Sequence, residues 1–275
     1  MRLNKQNDIK KSILKRLKDK NEYFSYVIED NEIKSIIIAG KENELGEVSI
    51  YLEVISDESY INDKIIIREI KQVIDFYNGK IQINRLILCA YSSQKKLLKL
   101  FNQLGFEFKG NQYIGFVKDA LKYYKNIKLS NSERISIAKV KDGTEIIKLV
   151  KISHDTDKTC RLRNLNVNQL NTFKEMIIKD IKKNKSVFII NGQNHLIGYI
   201  WLLLRGESEY LIAGIAVHPD YWGQGIANIL YKYAFKFMNI KGIKKYYGVS
   251  STKAVMKLAE KLNRKIYLSA YHVDV

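Results

Sequence analysis

Apolar and polar positions alternate, with β-branched side chains, at 23–28, 33–39 and 48–55, which predicts three strands. Ahead of them, Ile9, Ile13, Leu14 and Leu17 recur at helical spacing in an otherwise basic stretch, predicting a helix over 7–20. Helical period returns from 63 to 77 and closes at Asn78-Gly79. A strand (85–90), a helix (93–104), a strand (106–117) and a short helix (119–125) follow. The polar run 126–133 reads as a linker. From 134 the pattern restarts: a strand at 135–139, helices around 145–152 and 167–182, then strands at 186–191 and 197–205 joined through Asn191-Gly192-Gln193. A strand at 210–217, a helix at 226–238, a strand at 245–249, a helix at 252–262 and a strand at 266–273 complete the chain.

The second half repeats features of the first. The segment 92–106 aligns with 250–264, with coincidences at Ser92/Ser250, Ser93/Ser251, Lys95/Lys253, Lys99/Lys257, Leu100/Leu258 and Leu104/Leu262. Each block lies between two strands. The expectation is a mixed-sheet α/β chain of two related domains, residues 1–125 and 130–275.

Composition narrows the class. With 275 residues, 46% hydrophobic and 28% charged, the chain has globular composition and length enough for two ordinary domains. No apolar run reaches the roughly 18 residues of a membrane span, and the first residues carry no apolar signal segment, so a cytoplasmic protein is expected. Cys89 and Cys160 have neither metal nor redox spacing, and no metal site is expected. A net charge of +18 is compatible with nucleic acid, an anionic surface or an acidic small molecule. Crowding by Lys, Ile, Asn and Tyr marks part of that charge as compositional drift. No nucleic-acid motif or aromatic–basic interleaving is visible, so a basic nucleic-acid-binding module is the weakest functional class.

One segment carries chemistry. The apolar strand 211–217 stops at His218-Pro219, since proline removes a backbone donor and restrains the residue before it. Gly223 and Gly225 follow, and Ile226, Ile229, Leu230, Tyr233 and Phe237 then keep helical spacing. A strand, a glycine turn and a helix start gather free N–H groups at a positive helix end, where a pyrophosphate fits. No Gly-Lys-Ser/Thr follows, so this is not a Walker loop, and it lies too late in the chain for a dinucleotide fingerprint.

Val217-His-Pro-Asp-Tyr-Trp-Gly-Gln-Gly-Ile-Ala227 resembles the acetyl-CoA signature of the GCN5-related N-acetyltransferases, the GNAT superfamily. In that pattern Trp222 takes the Arg/Gln slot, Gly225 the glycine and Ala227 the Gly/Ala slot. The resemblance covers about 134–275 and implies two tandem GNAT-like domains, the first a degenerate copy. It further implies that the backbone of Ile215, Ala216 and Val217 pairs with the pantetheine arm of acetyl-CoA. Trp222, Gly223, Gln224, Gly225, Ile226 and Ala227 would hold the pyrophosphate.

The later family motif fits less well. Thr252 takes its Asn slot as a further cofactor residue, while Ala259 stands where a Tyr general acid is usual. Tyr247 occupies a position that carries a glutamate base in one subgroup. Glu209, before the central strand, is the candidate base, beside Glu207. Tyr247 is the candidate phenol among Tyr246, Tyr247, Tyr267 and Tyr271. His218 is read as structural. The lysines after the glycine turn would assist capture of the CoA phosphates.

In the first half, Gln94 and Phe101 match the Asn and Tyr slots, but the turn at 56–63 is acidic and glycine-free, so no CoA binding is expected there. That half would cover or bound the acceptor site. The implied function is transfer of an acetyl group from acetyl-CoA to a primary amine of a small molecule or peptide. The alternative is a non-catalytic acyl-CoA sensor. Oligomeric state is open between monomer and dimer.

Overall fold

The computed structural model describes residues 23–29, 32–44, 47–56, 63–78, 81–125, 135–157, 165–184, 186–192, 195–205, 208–250 and 252–274. The expected helix over 7–20, the linker 126–133, most of the acidic turn at 56–63, Cys160 and Glu207 lie outside the described residues.

In chain order the elements are β1 (Tyr23–Glu29), β2 (Glu32–Glu44), β3 (Glu47–Ser56), α1 (Asp63–Tyr77), β4 (Arg85–Tyr91), α2 (Lys95–Gln103), β5 (Glu107–Phe116) and α3 (Val117–Tyr124). They continue with β6 (Ile135–Ile137), a 3-10 turn (Val140–Asp142), α4 (Gly143–Thr156), α5 (Val167–Asn184), β7 (Val187–Asn191), β8 (Leu196–Arg205) and β9 (Glu209–Val217). A second 3-10 turn (Pro219–Tyr221), α6 (Ile226–Ile240), β10 (Lys245–Ser250), α7 (Lys253–Lys261) and β11 (Lys265–Asp274) close the order. The periodicity-based elements match these to within a few residues, as expected where one face of each element is apolar.

The chain forms two compact units, residues 1–109 with 268–275, and residues 110–267. They differ from the expected linear domains, 1–125 and 130–275, in that most of β5 and all of α3 belong to the second unit and most of β11 to the first. In the first unit β1, β2 and β3 pair antiparallel, β3 pairs parallel with β4 after the α1 crossover, and β4 pairs antiparallel with Leu268–Asp274 of β11. Its core packs Ile37, Leu52, Val73, Leu88 and Phe101 with Tyr271. In the second unit the order is β5-β10-β9-β8-β7-β6. There β10 pairs antiparallel with Asn111–Phe116 of β5 and parallel with β9.

The reason is side-chain fit. Gly115 of β5 faces Tyr246 of β10, and a Cβ at Gly115 would stand 2.6 Å from the Tyr246 hydroxyl. Val117, Ala120 and Tyr124 of α3 are buried in one core with Ile212, Ile229, Leu230 and Phe235. A boundary at the polar run 126–133 would cut that core. On the opposite face, Ile146, Leu149 and Ile177 of α4 and α5 pack against Tyr199, Trp201 and Ala216. The Trp201 indole donates to the buried Asp180 carboxylate at 2.6 Å.

Candidate functional site

β9 ends in the way its sequence dictates. The His218 amide donates the last rung to Ile197 O (2.9 Å), and Pro219 opens the 3-10 turn, where its missing N–H is not needed. Tyr221 N–H and Trp222 N–H close that turn onto His218 O (2.9 Å) and Pro219 O (3.0 Å). Gln224 N–H reaches Tyr221 O at 3.3 Å. Gly223 and Gly225 both adopt φ +79, a left-handed geometry that favours glycine, and neither would meet another atom within 4 Å if given a Cβ.

The amides of Gly223, Gly225, Ile226, Ala227 and Asn228 donate to no partner among the described residues. They surround a cavity of about 300 Å³ lined by Val217, Tyr221, Trp222, Gly223, Gly225, Ile226, Ala227 and Asn228. These donors, at the positive end of α6, form an anion cradle. The geometry redistributes the expected backbone roles. Trp222 and Gln224 have spent their amides inside the turn, and Asn228, which sequence reasoning missed, joins the free donors. Trp222 instead acts through its side chain: its indole N–H donates to Val217 O at 2.7 Å and ties the turn to the strand end.

Beside the cradle, β9 has an open edge. Its parallel pairing with β10 ends at Gly248↔Ile212, whereas β9 runs on to Val217. A bulge opposite Trp201/Leu202 gives β9 an extra residue at Ala213, where the strand bends. The rung from His218 to Ile197 fixes the ladder alternation, so Ile215 and Val217 turn their backbone groups away from β8. With Val217 O taken by Trp222, the open groups are the N–H and C=O of Ile215 and the N–H of Val217. The same alternation turns the amide groups of Ala216 toward β8 rather than the open edge, while its side chain is buried against α4 and α5. Thr252 caps α7, its hydroxyl oxygen accepting from Val255 N–H at 3.4 Å.

The candidate acid–base residues meet along the paired stretch of β9 and β10, Tyr247 one rung and Glu209 three rungs before the last pair, Gly248↔Ile212. Tyr247 donates its phenol proton to Glu209 Oε1 at 3.3 Å, across the register that pairs Lys245 with Glu209. Burial, then the Glu209 charge, pushes the Tyr247 phenol up to about 12. The Arg205 guanidinium stands 5.6 Å from the Tyr247 ring centre, and Tyr267 meets that ring edge-on at 6.2 Å. Tyr246 points to the opposite face and is fully buried, and Tyr271 belongs to the core of the first unit. Ala259 is also fully buried, so α7 offers no phenol there. His218 Nδ1 accepts from Asp220 N–H at 3.4 Å.

Lys236, Lys241, Lys244, Lys257, Lys261 and Lys265 are exposed around α6 and α7 and favour an anionic ligand. In the first unit, Phe101 at the expected Tyr slot is buried against Tyr271, and Gln94 binds the Tyr91 amide and Ser56 O. Among the described residues no helix is long and apolar enough to cross a membrane.

Known proteins bear on this geometry. Residues 150–263 match the model of the acetyltransferase (GNAT) family. A GCN5-related N-acetyltransferase from Sphaerobacter thermophilus superposes with a TM-score of 0.57 at 12% identity, over 90% of this chain and 79% of that one. One from Kribbella flavida gives 0.56 at 9%, over 97% and 94%. A tandem GNAT protein from the clavulanic acid biosynthesis pathway gives 0.51 at 8%, over 93% and 84%. At such identities the likeness is one of fold. No curated protein matches the sequence. The strand, glycine turn and helix that build the cradle fall inside the matched segment, and residues 150–263 form a domain of the acetyltransferase (GNAT) family.

Proposed function

We propose that the second unit binds acetyl-CoA and transfers its acetyl group to a primary amine of a small molecule or peptide. The cradle of free amides at Gly223, Gly225, Ile226, Ala227 and Asn228 carries this reading, since it suits a pyrophosphate. The open edge suits the remainder of the cofactor. From Val217 to Ile212 the strand spans about 16 Å at 3.3 Å per residue. The pantetheine arm, about twelve bonds long, spans roughly 14 Å, like four residues of extended backbone. Ile215 and the Val217 amide would pair with its amides, and Thr252 would flank it.

Bound there, acetyl-CoA supplies an acetyl carbonyl activated as a thioester. Glu209, a carboxylate at the first pair of β9 with β10 and hydrogen-bonded to Tyr247, attracts the acceptor's ammonium and relays its proton to solvent. Tyr247 keeps its own proton at neutral pH, because burial and Glu209 disfavour the phenolate, and orients that carboxylate. The exposed lysines favour the anionic cofactor over a polycationic acceptor. A cytoplasmic location follows from dependence on the acetyl-CoA pool.

Titration calorimetry with acetyl-CoA, and separately with an oligonucleotide, tests the class. Binding of acetyl-CoA tighter than about 1 mM is expected, and weaker binding refutes the reading. Thiol release over a panel of amines then separates a transferase from an acyl-CoA sensor.

A further inference from the structure

Arg264 enters the core of the second unit from the end of α7. Its amide donates to Ala259 O (2.9 Å) and the preceding Asn263 takes φ 51, a helix termination that turns the next side chain inward. The side chain is only 7% exposed. Its Nε donates to the Tyr246 hydroxyl at 3.0 Å, and the guanidinium carbon lies 5.0 Å from the Tyr246 ring centre and 5.5 Å from that of Tyr231. Tyr124 stacks on Tyr231 in the same cluster. Among the described residues no carboxylate pairs with this cation, and Nη2 is buried without an acceptor. Burial alone would lower its pKa, but the surrounding phenols outweigh burial, so the group stays charged.

A buried cation without a counter-charge is costly, and such groups mark places where negative charge is to be received. Its position is specific. Nη1 lies 3.1 Å from where a Cβ on Gly248 would stand, so glycine at 248 is what lets the guanidinium approach the backbone. Gly248 forms the last rung between β10 and β9, at the apex of the open edge. The guanidinium shares the face of Tyr246, which is the face covered by α6, whose start forms the anion cradle.

We propose that Arg264 receives the departing sulfur of coenzyme A at this apex, Nη1 donating a charge-assisted hydrogen bond in place of the phenol absent at Ala259. The inference rests on the acyl-transfer reading above. The amine nitrogen forms the new C–N bond with its lone pair as the C–S bond breaks, and that electron pair goes to sulfur. The ammonium's first proton has passed by way of Glu209 to solvent before attack, and the proton the nitrogen loses as the amide forms travels through water to that carboxylate, three rungs back along β9. Arg264 gives up no proton; it stabilises the thiolate, which later takes a proton from water.

The test is the ionisation of the thiol of coenzyme A bound to the full-length protein. Occupancy is followed by calorimetry and the thiolate by its ultraviolet absorbance against pH. The bound thiol should titrate at least one pH unit below free coenzyme A, a ten-fold or greater change in ionisation constant. Arg264→Met fills similar volume without charge and should return the midpoint to that of the free thiol, while Arg264→Lys should keep much of the displacement. A wild-type bound thiol that titrates with free coenzyme A overturns the proposal. So does a displacement that persists in Arg264→Met with coenzyme A bound. If Arg264→Met does not fold, the wild-type midpoint and Arg264→Lys still decide. A wild-type protein that binds no coenzyme A refutes the acyl-transfer reading itself, and calorimetry separates that result from the other two.

Discussion

Gly225→Ala and Gly242→Ala form a matched pair that separates backbone strain from ligand contact. The two glycines sit at φ +79 and +72, and a Cβ on either would meet nothing within 4 Å. Each substitution forces an L-residue into left-handed geometry at a cost of about 1–2 kcal/mol. For a chain of this size that lowers Tm by roughly 2–8 °C, similarly in both variants. Their surroundings differ. Gly242 closes α6 at its far end, donating to Asn239 O at 3.0 Å, whereas Gly225 lines the cradle. The added methyl at 225 projects where a phosphate would approach the backbone. Displacing that phosphate should weaken coenzyme A binding at least ten-fold, about 1.4 kcal/mol. Thermal unfolding and titration calorimetry on both variants check this. Equal affinity in the two variants would refute the placement of the cofactor at this turn, and unequal Tm losses would refute the strain estimate.

Gly214→Ala places a Cβ 2.6 Å from the Tyr199 hydroxyl and should destabilise by about 1–3 kcal/mol, with Tyr199→Phe recovering most of it in a double-mutant cycle. The Tyr247 phenol is raised in the folded protein, so its contribution is complete below the unfolded value near 10 and is lost as pH rises through about 12. Stability should therefore fall over that window, less steeply in Tyr247→Phe by denaturant titration. The fragment 130–275 lacks β5 and α3, which supply Gly115 opposite Tyr246 and the buried Val117, Ala120 and Tyr124. It should show weak near-ultraviolet circular dichroism and no cooperative unfolding, and cooperative unfolding would show that β10 needs no partner on that side.

Element positions were legible because nearly every strand and helix has one apolar face, and the period of that face is local information. The cradle was legible for a related reason. Pro219, Gly223 and Gly225 each meet a backbone requirement that few other residues satisfy, so their spacing carries geometry directly. Glu209 and Tyr247 were named separately, and it is the parallel register of β9 and β10 that makes them partners. The exchange of β5 and β11 was not legible, because an amphipathic strand encodes which face is buried but not which neighbour it pairs with. Arg264 was hidden by its type. An arginine after a lysine-rich helix reads as one more surface charge, and the available signals were two glycines, Gly115 and Gly248, that leave room for Tyr246 and the guanidinium.

The strand taken from the far end of the sequence sets an order of events during synthesis. Arg85 meets Asp274, its Nε 2.8 Å from Oδ1, across 189 positions of chain. Until residues 268–274 have been made, β4 presents an unpaired edge built from Leu86, Leu88 and Ala90, of the kind that recruits foreign strands. Units of a growing chain ordinarily fold in the order they emerge. Here the first unit must wait until residues 268–274 have followed the second unit out of the ribosome, which makes its completion a late, slow step and puts its aggregation risk in the interval before they emerge.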